Sequence, residues 1–319
     1  MKSLPQLTRL GLALVVLAGP VWAQTPNTAP STEPDQKTEI TPLTLPGSEP
    51  FIFRKIGATE LRLHVVKPAG WNAGNKRACL VSFFGGGWSG GTPESSIRWS
   101  KWAATQDMVG IAPDYRTRQR FGGTPEDCVA DGRAALSWIR KNAGKLGIDP
   151  QKIIVSGASA GGHVAAWTAI TAKGPGPEDP APAVQPAALV LINPVTDTKE
   201  AGYGGPKRFN NNPKRALACS VPDQMPTRMP PTLVFHATGD TTVPYANSVA
   251  FRDALLANTN SFKLITFEGL GHAYYSTKFG DAGQDAYKKT LSEAATFLAS
   301  LGLIEIKAAH AKRATPAAP

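Results

Sequence analysis

Residues 152–163 read KIIVSGASAGGH, and the reading of this stretch decides the fold. Its first half, up to Gly157, is a short β-branched apolar run that predicts a buried strand. The run passes directly into Gly157-Ala158-Ser159-Ala160-Gly161, a G-x-S-x-G, and the residues beyond predict a helix over 159–172. Strand, tight turn and helix in that order hold a serine on a strained turn, with its hydroxyl raised above the strand end. Gly157 and Gly161 keep the adjoining strand and helix from clashing. A bare G-x-S-x-G recurs by chance; the strand before it and the helix after it give this one its weight.

Strand-like and helix-like segments alternate on both sides of this turn. FIFRKI (51–56) and ELRLHVVKP (60–68) read as a strand pair, with Leu61, Leu63 and Val65 alternating. Further strands are predicted at 78–84, 108–113, 187–192, 232–237 and 262–267. Cys128, Gly132, Ala135, Leu136 and Ile139 recur at helical spacing in a stretch ending at Gly144, and 245–258 and 283–301 read as helices. Short buried strands alternating with helices predict an α/β protein with a mostly parallel sheet covered on both faces. The stretches 173–186 and 196–230, dense in Gly, Pro and Asn, are expected to be long loops, a small cap over a site among them.

A serine hydroxyl is a poor nucleophile until an oriented base takes its proton. After a strand–turn–helix serine the partners follow in the order acid, then histidine. Of the five histidines, His310 lies in the tail, His64 on an early strand, His163 on the helix beyond the serine and His236 inside a strand. His272, in EGLGHAYY, follows the last predicted strand and is the candidate base. Asp240, in ATGDTTVP after the preceding strand, is favoured as the acid over Asp197, in LINPVTD one strand earlier. A tetrahedral intermediate also needs fixed donors for its negative oxygen, and backbone N–H groups supply them. LVSFFGGGW (80–88) ends a strand on three glycines, whose amides can face a substrate without side-chain obstruction. Ala160, just after the nucleophile, offers another donor.

Together FFGGGW, DYR (114–116), GASAGGH (157–163), NPV (193–195), GDTTVP (239–244) and GLGH (269–272) resemble the α/β-hydrolase esterases of the hormone-sensitive-lipase-like group and their acetyl-esterase relatives. The resemblance covers most of residues 77–300. It implies the α/β-hydrolase fold, a Ser159–Asp240–His272 triad and oxyanion donors at Gly86, Gly87 and Ala160. One departure is Phe84, where the group usually has a histidine that supports the loop. Asp114 and Arg116 are expected to brace the oxyanion loop. Trp88, beside it, is a weak candidate for lining the acyl pocket, with a packing role as the alternative. Asp127 and Asp131 are expected to favour a helix dipole.

The 319 residues carry a net charge of +10, but the excess is scattered and forms no basic stripe with interleaved aromatics, so nucleic acid is not an expected partner. Phosphate loops, dinucleotide fingerprints and metal-ligand spacings are missing, and neither cofactor nor metal is expected. Cys79, Cys128 and Cys219 permit at most one disulfide. Residues 1–23 combine a basic start, the apolar LGLALVVLAG and Val21-Trp22-Ala23, which reads as a cleavable signal peptide and predicts a secreted or periplasmic protein without a membrane anchor. Residues 24–50 read as a flexible leader, 51–302 as the hydrolase domain and 303–319 as a disordered basic tail. The expectation is a serine carboxylic-ester hydrolase working through an acyl-enzyme on small acyl esters or acylated carbohydrate. The alternatives are a prolyl-oligopeptidase-type peptidase and a non-catalytic binding protein on a hydrolase scaffold.

Overall fold

The computed structural model describes residues 43–170, 174–176, 185–199 and 202–306. Every strand expected from the sequence forms. They are β1 (Glu49–Ile56), β2 (Thr59–Val66), β3 (Arg77–Phe83), β4 (Val109–Pro113), β5 (Ile148–Ala158), β6 (Ala188–Ile192), β7 (Thr232–Ala237) and β8 (Phe262–Phe267). They make one sheet in the order β1-β2-β4-β3-β5-β6-β7-β8. The first two joints, β1 with β2 and β2 with β4, are antiparallel, and every joint from β4 onward is parallel.

Because side chains alternate across a strand, β3 serves two cores at once. Cys79, Val81 and Phe83 point to one face, where they pack with Leu136, Val164 and Phe251. Ala78 and Leu80 point to the other, among Trp99, Ala103, Phe297 and Leu298. The helices Pro125–Lys141, Ala160–Trp167 and Ala246–Ala257 thus cover the first face, and Ile97–Thr105 and Gly280–Ser300 the second. With helices on both faces the central strands are largely apolar, and β4, β6 and β7 are buried at every residue.

Several expectations need correcting. The helix Ile97–Thr105 was not foreseen, and β5 begins at Ile148, extending the pairing with β3 to Arg77 through an irregularity in register. The helix after the serine runs Ala160–Trp167, shorter than 159–172. The stretch 196–230 is more than loop. It carries a 3-10 turn at Gly205–Phe209 and a helix at Pro213–Cys219, whose first turn is capped by the Asn212 side chain accepting from the Lys214 and Arg215 amides. Phe209, Ala216 and Cys219 close a small apolar cluster there. All three cysteines are free and buried. Asp131 does not serve a helix dipole: it is buried and binds Arg54 and Arg116. The sheet starts at Glu49 and Leu45 is buried, so the last residues of the stretch read as leader pack onto the domain. Leu303 and Ile304, read as the start of the tail, pack against the second core. The signal peptide, most of the leader and the tail beyond 306 lie outside the described residues, as does most of 173–186.

Candidate active site

In a parallel sheet the ligand site opens at the carboxyl ends of the strands. β3 and β5 are neighbours, with Phe83 opposite Gly157, so the loops that follow them emerge side by side. The loop after β3 is Gly85-Gly86-Gly87, and the turn after β5 carries Ser159. Ser159 has φ 56° and ψ −123°, the strained turn its motif predicts. A Cβ on Gly157 would run into the Gly161 carbonyl, and one on Gly161 into the carbonyls of Phe83 and Phe84. The two glycines of the motif are therefore required by backbone lying on backbone.

Asp240 leaves β7 and His272 leaves β8, on the far side of the serine. His272 Nδ1 donates to Asp240 Oδ2 at 2.7 Å. Asp240 Oδ1 accepts from the amides of Thr242 and Val243, each at 2.9 Å. A second histidine closes the group: His236 Nε2 lies 3.2 Å from Asp240 Oδ2 and 3.1 Å from the Val243 carbonyl, and its Nδ1 lies 2.6 Å from Ser248 Oγ. Both neighbours of Nε2 are acceptors, so the proton sits on Nε2 and Nδ1 accepts from Ser248. Burial alone raises the Asp240 carboxyl, but the bonds from His236, His272 and the Val243 amide outweigh it and hold the group well below the usual carboxylate range. An ionised Asp240 fixes the Nδ1–H form of His272, which leaves Nε2 free to accept a proton.

Ser159, His272 and the three glycines line one cavity of about 450 Å³, walled also by Phe84, Arg98, Trp99, Tyr203 and Tyr275. Gly86 has φ +127°, and a Cβ there would strike the Gly90 carbonyl. No hydrogen bond among the described residues is donated by the amides of Gly86, Gly87 or Ala160. The amides of Gly86 and Gly87, residues that line the cavity, are thus uncommitted, as is that of Ala160, the first residue of the helix after Ser159. Behind the loop, the Tyr115 hydroxyl donates to the Phe84 carbonyl at 2.6 Å, and the Phe84 ring stacks on Tyr115 at 4.0 Å. Asp114 grips Arg120 at 2.6 Å, and the Arg120 guanidinium lies 5.6 Å from the Phe84 ring. Phe84 therefore supports the loop by stacking where the resembled group uses a histidine.

Trp88 does not line this cavity. Its positive φ of 59° turns the chain at that residue, and the ring is buried against His163, Tyr203 and Phe209. The indole at the wall is Trp99, from the unforeseen helix. Asp197 also stands apart, its carboxylate accepting from the Lys199 amide. Arg208 is spent on the glycine loop, donating to Ser89 Oγ at 2.9 Å, and Asn212 on its helix cap. Sequence reasoning overlooked Tyr115, although the DYR triplet marks it, and missed Arg98, Trp99, Tyr203 and Tyr275, which nothing local ties to the serine. Among the described residues no group of three or more His, Cys, Asp or Glu is placed to hold a metal.

This geometry has known counterparts. Residues 80–276 match the family model of the alpha/beta hydrolase fold. Esterase 2 of Thermogutta terrifontis, solved with propionate bound, is 36% identical, with a TM-score of 0.74 over 82% of this chain and 97% of that one. The same esterase phosphorylated by paraoxon gives 0.73 at 36% identity over the same shares. Esterase LipQ of Mycobacterium tuberculosis is 32% identical over 141 residues, 40% of this chain and 34% of LipQ. Endo-1,4-beta-xylanase B of Butyrivibrio fibrisolvens is 30% identical over 134 residues, 40% of this chain and 21% of that protein. The chain thus spans about a third or less of the length of these two curated relatives. It belongs to the alpha/beta hydrolase fold family, and within it to the esterase class.

Proposed function

We propose that the protein hydrolyses short-chain carboxylic esters through an acyl-enzyme on Ser159, with acetyl groups on carbohydrate as the substrate class. The observation that carries this reading is the 2.7 Å bond that His272 donates to Asp240 at a cavity shared with Ser159 and the glycine loop. Ser159 Oγ attacks the ester carbonyl carbon while His272 Nε2 takes the hydroxyl proton. The amides of Gly86, Gly87 and Ala160 stabilise the oxyanion. The intermediate collapses to the acyl-enzyme, and His272 returns the proton to the departing alkoxide. Water then repeats the sequence on the acyl-enzyme and releases the acid.

Support for a short acyl group comes from the bulky wall of Phe84, Trp99 and Tyr275 and from the propionate-bound Thermogutta esterase. Support for a carbohydrate alcohol is the match to a xylanase chain. Export rests on the signal-like residues 1–23, and N-terminal sequencing of the secreted protein should begin at Gln24. The catalytic reading is tested by Ser159→Ala, which should stay folded and lose about 10⁴–10⁶ in kcat. A fluorophosphonate should label the parent and not the variant. Chromogenic esters of graded length should peak between acetyl and butyryl, with acetate released from acetylated oligosaccharides. A peak at octanoyl or longer with no acetate released would overturn the substrate class alone; substantial turnover by Ser159→Ala would overturn the mechanism.

A further inference from the structure

The cavity at Ser159 holds a cation that the hydrolytic steps do not use. Arg98, the second residue of the helix Ile97–Thr105, lines it together with Ser159 and His272. Its guanidinium lies 4.3 Å from the Tyr275 ring centre, 5.2 Å from that of Trp99 and 5.6 Å from that of Tyr287. These rings fix its position against the cavity wall and contribute cation–π attraction. They do not neutralise it. No ion pair among the described residues includes Arg98, its Nε is buried without a hydrogen-bond partner, and the cavity lining contains no Asp or Glu. Two other arginines near the site are matched by carboxylates, Arg120 by Asp114 and Arg116 by Asp131, whereas Arg208 donates to the Ser89 and Tyr203 hydroxyls. Tyr275, half-buried beside it, accepts a side-chain hydrogen bond from Arg98 and feels its charge.

Given the esterase reading above, we infer that the enzyme selects esters bearing a carboxylate within reach of Arg98. A guanidinium held on aromatic faces offers a planar fork of donors that matches a carboxylate, with little side-chain entropy left to lose. A cavity with one sign of charge and low-dielectric walls also concentrates ligands of the opposite sign. Two placements of the carboxylate meet this requirement: on the acyl group, as in a half-ester of a dicarboxylic acid, or on the alcohol, as in an acetylated uronic acid. Both present the same anion to the same guanidinium.

Two matched pairs separate these sources. Mono-4-nitrophenyl succinate is compared with 4-nitrophenyl valerate, and O-acetylated galacturonate with O-acetylated galactose. In at least one pair the anionic member should show kcat/KM roughly 10- to 100-fold higher, the range of a charge-assisted hydrogen bond. That advantage should shrink as salt rises from 0.02 to 0.5 M, collapse to about onefold in Arg98→Met and survive in part in Arg98→Lys. Parity in both pairs for the unmutated enzyme overturns the inference without recourse to any variant. So does a preference that persists in Arg98→Met. Parity with brisk hydrolysis of the neutral esters leaves the esterase reading standing; no hydrolysis of any of the four, with no fluorophosphonate labelling of Ser159, removes both.

Discussion

Ser159 stands between two walls that are held by different physics. On one side Asp240 is fixed by polar bonds: two amides on one oxygen and two imidazoles on the other. On the other side the glycine loop is fixed by contact, with backbone against backbone at Gly86 and Gly161 and the Phe84 ring lying on Tyr115. A wall of the first kind depends on the identity of single atoms, because every bond in it needs a particular donor and acceptor and the charge state follows from the set. A wall of the second kind depends on volume, because its amides point correctly only while nothing pushes the chain aside. The polar wall should therefore fail on an isosteric change, and the contact wall on an added methyl.

Asp240→Asn is the severest probe of this contrast. It preserves shape and removes the charge that orients His272, and it should lower kcat by about 10³–10⁴. Asp197→Asn, on a carboxylate that only binds its own loop, should stay within about threefold. Both are read by kcat on a chromogenic acetate, and a reversed ranking would assign the acid to the earlier strand.

Gly86→Ala is the matching probe of the contact wall. The added Cβ meets the Gly90 carbonyl at a residue with φ +127°, so the loop must shift and the amide donors with it. Loss of one such donor costs about 10²–10³ in kcat, and the loss here should fall in that range with KM changed less than about threefold. An active Gly86→Ala enzyme would mean that the loop is held by something other than close contact.

The two walls were also unequally legible. The polar wall could be read from short motifs, because GDTTVP and GLGH each sit just after a strand and the chain order of acid and base follows from the elbow. The elbow glycines could be read for the same reason, since their constraint is local. Trp88 was misplaced because closeness in sequence to the loop says nothing of which way the chain turns at φ 59°. Arg98 and Trp99 were overlooked although IRWSKWAAT carries an amphipathic pattern, with Ile97, Trp99, Ser100 and Ala103 buried; the one start signal, Ser96, turns its hydroxyl back to the Pro93 carbonyl and caps no helix amide. Their place in the cavity comes from a helix packing across β3 and β4, which spacing does not encode. The helix Pro213–Cys219 was legible and overlooked: Asn212 at the cap and Pro213 at the first position are its start signals.

Behind the contact wall, His163 packs against Trp88 and bonds the Cys219 carbonyl at 2.8 Å through Nε2. Burial pushes its imidazole down to about 4, whereas an unfolded histidine titrates near about 6.5. Below about pH 6.5 the unfolded chain takes up a proton that the folded one refuses until about pH 4. Stability is thus fully present above that window and falls through it, by about 2–3 kcal/mol from this group. His64, also pushed down to about 4 by burial, acts in the same sense. Urea denaturation of His163→Gln between pH 7 and 4.5 should show a shallower loss than the parent by about that amount. Parallel curves would mean that His163 is not held neutral by the fold.

The smallest effect is expected at Phe84, where the resembled esterases carry histidine. The loop main chain at this residue is gripped through its carbonyl, which accepts the Tyr115 hydroxyl at 2.6 Å whatever the side chain. An imidazole can stack on Tyr115 as the phenyl does at 4.0 Å, and the Arg120 guanidinium 5.6 Å from the ring disfavours the protonated form. Phe84→His should therefore keep the amides of Gly86 and Gly87 in place and change kcat by less than about tenfold. Its cost belongs to folding: a smaller ring with nitrogens in a buried site should lower stability by about 1–3 kcal/mol. Tyr115→Phe strands the Phe84 carbonyl and should cost a similar amount, but with a larger fall in kcat, because it loosens the chain itself. Comparing the two variants in kcat and in melting temperature separates ring chemistry from main-chain support. A loss of 10² or more in Phe84→His at unchanged melting temperature would make this wall as dependent on atomic identity as the one around Asp240, and the division between them would fail.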